Sequence, residues 1–92
     1  MISANVCADN SRNAPGQFSG ILLKDTTDTV VTGNRCGADG DRPTQKLGIE
    51  EQGTSNENAI TGNLCEGNVE GGISVVGADT QVSGNVGTIL RP

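Results

Sequence analysis

Glu50 and Glu51 are adjacent carboxylates, and Asp25 and Asp28 stand three residues apart with Lys24 beside the first of them. Carboxyl groups held about 5–10 Å apart are the reagents of glycoside hydrolysis, one giving a proton and the other serving as base or nucleophile. Glu50 and Lys24 are spaced to share one face of neighbouring strands, and Arg42 adds a further cation. The stretch GADGD at 37–41 sets Asp39 and Asp41 among glycines, a weak likeness to an oxygen-ligand calcium loop. It lacks the further ligands and the closing glutamate of an EF-hand, so an ordinary turn accounts for it. Solvated surface charge is the plainer account of the other charged residues, and no catalytic residue is assigned.

Cys7, Cys36 and Cys65 are the remaining reactive side chains. Three is an odd number, which leaves at least one thiol free in a monomer. The chain has no His and no CxxC spacing, whereas a zinc site asks for four nitrogen or sulfur ligands. No metal is therefore expected at the thiols. Stacked cysteines come within disulfide reach, but side chains projecting in parallel give poor torsions. The expected role is structural: small buried hydrophobes, reduced and inert.

The elements that hold these residues are declared by an internal repeat. ISANVCADN at 2–10, VTGNRCGAD at 31–39 and ITGNLCEGN at 60–68 align at a spacing of 29, and a shorter copy, VSGNVG at 82–87, follows at 22 with Gly87 where cysteine would stand. Asn5, Asn34, Asn63 and Asn85 form one column, and Asn10, Asp39 and Asn68 another. A second phrase falls between the copies: Gly20-Ile21-Leu22-Leu23, Gly48-Ile49-Glu50-Glu51 and Gly72-Ile73-Ser74-Val75. The phrases are short, β-branched and bounded by Gly and Asn, which reads as strands between tight turns. Helical repeats would be broken by this density of Gly, Asn and Thr. Recurrence in register places equivalent strands side by side and parallel, about 4.8 Å apart. The predicted fold is all-β, a parallel β-helix, or solenoid, of about three to four coils in one domain over 1–92. The coils run roughly 2–29, 30–58 and 59–81, with a partial coil at 82–92.

Composition narrows the function classes. A net charge of −5 with six Lys and Arg argues against nucleic acid, which asks for a clustered basic face. No apolar run approaches the roughly 18 residues of a membrane span. Low hydrophobicity, 33%, with net charge is also a signature of disorder, but disorder needs no register. The start at Met1-Ile2-Ser3 has neither the basic nor the apolar region of a signal peptide, and it falls inside a repeat phrase. It reads as a cut within a longer β-helix.

The pattern G-I-x-[LV] followed by [IV]-[ST]-G-N-x-C resembles the right-handed parallel β-helix of the pectin-lyase-like superfamily, and the likeness covers nearly the whole chain. That resemblance implies polysaccharide lyases, hydrolases, epimerases and phage tailspikes as kin. It implies a groove along one face in which acidic residues hold calcium or act as acid and base, while basic residues grip an anionic polymer. Lys24, Glu50 and Arg42 would then be substrate-binding, with an acidic polysaccharide as partner and calcium the one cofactor to consider. No catalytic motif of the family can be matched residue by residue. Phe18 is the single aromatic ring, which counts against an autonomous sugar-binding module.

Three expectations concern packing. Ile2, Ile21, Leu23, Val31, Ile49, Ile60, Ile73, Val75 and Val82 should point inward, with Leu22, Glu50 and Ser74 outward. Glu51 falls in the inward column of Leu23 and Val75. Either its strand ends one residue early or a carboxylate is buried, and the early end is the less costly. The Asn column, of a residue that tolerates left-handed backbone, should stack as an internal or turn-lining ladder hydrogen-bonded from coil to coil. Exposed coil ends predict self-association or membership of a larger β-helix. The readings left are a scaffold or glycan-binding piece of a polysaccharide-processing protein and a purely structural, oligomerising module of a tail fibre or adhesin.

Overall fold

The computed structural model of the chain describes residues 1–8, 10, 15–37 and 43–91. Within them the protein is all-β, with no helix and therefore none long and apolar enough to cross a membrane. The strands are β1 (Ile2–Ser3), β2 (Val6–Ala8), β3 (Ile21–Lys24), β4 (Val30–Thr32), β5 (Arg35–Gly37), β6 (Leu47–Gln52), β7 (Ala59–Thr61), β8 (Gly71–Ser74), β9 (Gln81–Ser83) and β10 (Ile89–Leu90).

They form three sheets, and every pairing is parallel. The first has the order β1-β4-β7-β9, the second β3-β6-β8-β10, and the third contains β2 and β5. Leu64 and Val86 extend the third by single bridges, Arg35 to Leu64 and Leu64 to Val86. The chain thus visits the sheets in turn, and strands adjacent in space are distant in sequence. This arrangement is compatible with a β-helix-like fold.

Register follows the repeat columns. Ile2, Val31, Ile60 and Val82 are successive partners across the first sheet. Ile21, Ile49, Ile73 and Ile89 are successive partners across the second. Alternation along each strand sends these columns inward, where Val31, Ile49, Ile60, Ile73 and Val75 are fully enclosed with Leu23, Cys36 and Cys65. Each enclosed Ile or Val contributes roughly 1.5–3 kcal/mol over its exposed state. Leu47, at the start of β6, joins the buried set.

The glycines that precede Ile49 and Ile73 in the second sheet have a steric cause. A Cβ on Gly48 would lie 2.8 Å from the Cβ of Cys65 and 2.8 Å from the carbonyl of Gly72. At Gly72 it would meet the carbonyl of Cys65 at 2.8 Å. The corner where the third sheet meets the second is too narrow for any side chain.

Two expectations are corrected. The left-handed residue of the turn is the one before the Asn: Ala4, Gly33, Gly62 and Gly84 have φ of 57°, 68°, 65° and 66°. Glycine takes that conformation without the Cβ clash, which frees Asn for a side-chain task. At Glu51 the strand does not stop early, because β6 continues through Gln52 and Glu51 is 1% exposed. A buried carboxylate stands in the core column, and the reason it is tolerated lies in its partners.

Candidate functional site

The outward face of the second sheet carries the charged residues singled out from sequence. Leu22 pairs with Glu50 and Glu50 with Ser74, while Lys24 pairs with Gln52, so these side chains share one surface. Leu22 and Lys24 are exposed. Glu50 faces outward yet is only 8% exposed, because neighbours fold over it. Its Oε1 accepts from the Ser19 hydroxyl at 2.7 Å. Its Oε2 accepts from the Lys46 ammonium at 3.1 Å and from the Gln52 amide at 3.0 Å. Burial by itself would raise the Glu50 pKa, but the bonds from Gln52, Ser19 and Lys46 outweigh it and hold the carboxyl below its usual range. Such a group is an anchored carboxylate, poorly suited to give up a proton at neutral pH.

Glu51 projects to the opposite face, as consecutive strand residues must. Its Oε2 accepts from Asn58 Nδ2 at 2.8 Å and from the Thr80 hydroxyl at 2.7 Å. Its Oε1 accepts from the backbone N–H groups of Val76 at 3.1 Å and Gly77 at 3.0 Å. Burial pushes its pKa up, and these four donors together pull it below the ordinary value. Glu51 therefore ties three segments of chain together from inside. Glu50 and Glu51 do not form the carboxylate pair that glycoside hydrolysis needs, because the sheet lies between them.

Asp25 is exposed, with φ of 51°, and accepts from the N–H of Thr54 at 2.9 Å and from its hydroxyl at 3.2 Å. The backbone bond from Thr54 is the main reason its pKa is lowered. Asp28, with φ of 56°, is exposed on the following turn. Arg42, Asp39 and Asp41 lie outside the described residues.

The Asn column is linked from copy to copy. Asn5 donates through its backbone N–H and its amide to Asn34 Oδ1, at 3.0 and 3.1 Å. Asn34 does the same to Asn63 Oδ1, at 3.0 and 3.0 Å, and Asn63 to Asn85 Oδ1, at 2.8 and 2.9 Å. The amides of Asn34, Asn63 and Asn85 also donate to the carbonyls of Ile2, Val31 and Ile60.

The three cysteines are free thiols in one file. Cys7 and Cys36 are direct partners of β2 and β5, and the bridge from Arg35 to Leu64 sets Cys65 next in line. Cys36 hydrogen-bonds to Cys65 and keeps its proton, pushed well above the ordinary thiol value by that bond and by burial. The same bond lowers Cys65. Burial, followed by the Cys36 neighbour, raises Cys7. Beyond Cys65 lies a cavity of about 230 Å³ lined by Cys65, Glu66, Gly67, Asn68, Gly71, Gly72, Gly87 and Thr88. Among the described residues no group of three or more His, Cys, Asp or Glu is arranged to hold one metal ion.

Several partners were not singled out from sequence. Lys46 and Gln52 stand four before and two after Glu50, so strand alternation alone would have placed them beside it. Asn58 and Thr80 continue a column begun by Thr29 at the repeat spacings, and Thr29 N–H donates to Asn58 Oδ1 at 2.9 Å. Gln45, fully buried, accepts from Asn10 at 2.6 Å and donates to Asn68 at 2.9 Å. No sequence signal marked Gln45 or Ser19, whose roles arise where connectors cross the sheet.

Comparison of the chain with protein-family models, with curated proteins and with solved structures finds no match to any of them.

Proposed function

We propose that the chain winds as a right-handed parallel β-helix of the pectin-lyase-like type, and that it serves as a scaffold presenting the outer face of its second sheet to an acidic polysaccharide without catalysing its cleavage. The observation that carries this reading is Glu50, a nearly buried carboxylate anchored on the outer face of the second sheet by Ser19, Lys46 and Gln52, with exposed Lys24 on the same face. Glu50 holds Lys46 and Gln52 in place at that face, and Lys24 and Lys46 attract an anionic polymer. The opposed orientation of Glu50 and Glu51 supports binding over hydrolysis. Calcium bridging Glu50 to a uronate carboxylate belongs to the same proposal.

Titration calorimetry with oligogalacturonate, with and without calcium, tests it. Weak binding is expected, about tenfold or more weaker in Glu50→Ala, since a hydrogen bond to a charged group contributes about 1.5–3 kcal/mol. Absence of binding under both conditions would reject it.

A second reading, a structural module that oligomerises through its coil ends, is favoured by the continuous Asn column, whose Asn-to-Asn bonds all run the same way from one copy to the next. It predicts an oligomer in light scattering that is indifferent to sugars and calcium.

A further inference from the structure

The first and last coils are complementary to each other in a way that neither is to itself. In the Asn column each residue donates its backbone N–H and its amide to the side-chain oxygen of the next, from Asn5 to Asn34, Asn63 and Asn85. Among the described residues nothing donates to Asn5 Oδ1, so the first member of the column is an open acceptor. Asn85 gives its amide to the Ile60 carbonyl, and no further Asn follows to take its backbone N–H and second amide hydrogen. We propose that copies of the chain stack head to tail, the last coil of one on the first coil of the next, with Asn85 of one copy donating to Asn5 Oδ1 of the other.

The strand edges fit the same geometry. β1 and β3 at one end, and β9 and β10 at the other, each have a single partner, and every pairing between them is parallel. Unpaired edges are templates for strands of another chain. Head-to-tail stacking continues the sheets with parallel strands. Ile2 of the next copy then falls beside Val82, Val6 beside Val86 and Ile21 beside Ile89, each in the column it already heads. Apolar side chains lie bare at both ends: Met1, Val6 and Leu22 at the first coil, and Val86, Ile89 and Leu90 at the last. A hollow of about 480 Å³ is lined by residues 74–76 and 89–91. Leu22 heads the column of Glu50, Ser74 and Leu90, so the next copy brings its Leu22 to that hollow.

Like ends do not match. Two first coils face to face set Asn5 Oδ1 against Asn5 Oδ1, two last coils set donor against donor, and both force the edge strands antiparallel. The contact is therefore heterologous, and with coils continuing along one axis it does not close after two copies. In this arrangement, which rests on the chain oligomerising through its coil ends, the product is an open stack whose length grows with concentration. Arg91 donates to the carbonyls of Gly77 and Thr80 and so already satisfies that part of the last coil.

The test cross-links the outward column Ser3, Thr32, Thr61 and Ser83 across the joint. Ser3 and Ser83 are exposed and stand three strand spacings apart in one chain, but side by side where two copies meet head to tail. Ser3→Cys and Ser83→Cys are made in the full chain carrying Cys7→Ser, and treated with a bis-maleimide shorter than that intrachain separation. Covalent dimers are expected from the mixture of the two variants and from neither alone, and a ladder of longer products from the double variant. Light scattering of the natural chain should give a mass that rises with concentration past the dimer, and this reading decides if the Cys7→Ser chain does not fold. Dimers from either variant alone, or a mass that stops at the dimer, would overturn head-to-tail stacking and leave association through like coil ends. A rising mass with no cross-link in the mixture would overturn it too, and a monomer at every concentration would reject both the stacking and the oligomerising module.

Discussion

At the scale of single residues, Glu51 shows how a charge survives in a core. Its two oxygens receive four donors, from Asn58, Thr80, Val76 and Gly77, and the described buried polar side-chain atoms have no unsatisfied member. Replacing it by Gln puts an amide N–H₂ against donors it cannot accept from. Glu51→Gln should therefore cost about 2–3 kcal/mol in urea unfolding. The pH dependence follows in sign. The carboxyl titrates lower in the folded protein than in the unfolded chain, where it sits near about 4.3. Its stabilisation is complete above the unfolded value and is lost as pH falls through the folded one. Urea midpoints measured from pH 7 down into the acid range should fall for the natural chain and fall less steeply for Glu51→Gln. Glu51 was also where sequence reasoning failed. Period-two alternation placed it correctly in the inward column, but its stabilising donors come from 58, 76, 77 and 80, which no local pattern connects to it.

Between elements, polar columns and absent side chains set the fit. Asn63 occupies the middle of its column: its amide donates to Val31, Thr61 and Asn85, while its carbonyl accepts from Asn34 twice. Asn5 is exposed and only donates in that column. Asn63→Ala should cost about 2–4 kcal/mol and Asn5→Ala under about 1, as denaturant titration would measure, because only the first leaves several buried groups unpaired. At Gly48 the constraint is space. Gly48→Ala forces a methyl against Cys65 and the Gly72 carbonyl, with an expected loss of about 1–3 kcal/mol or more read as a lowered midpoint.

For the whole molecule, stability is a chain of neighbour interactions between strands far apart in sequence. The middle strands are enclosed on both sides, β6 between β3 and β8 and β7 between β4 and β9, while β10 is exposed. Hydrogen exchange should therefore be slowest for amides of β6 and β7, such as Ile49 and Ile60, and fastest in β1 and β10. Uniform protection across all ten strands would show a single cooperative unit instead.

Sequence by itself determined the parallel register and the inward columns, because a repeat of 29, 29 and 22 residues returns the same side chain to the same neighbour and alternation does the rest. It also located the turns, though it gave Asn the left-handed backbone that the preceding Gly or Ala4 adopts. Tertiary structure alone decided what the charged residues do. Whether Glu50 is free or anchored, and whether Glu51 is excluded or held, depends on donors far away in sequence, such as Ser19 for Glu50 and Val76, Gly77 and Thr80 for Glu51, which only the folded chain brings to them.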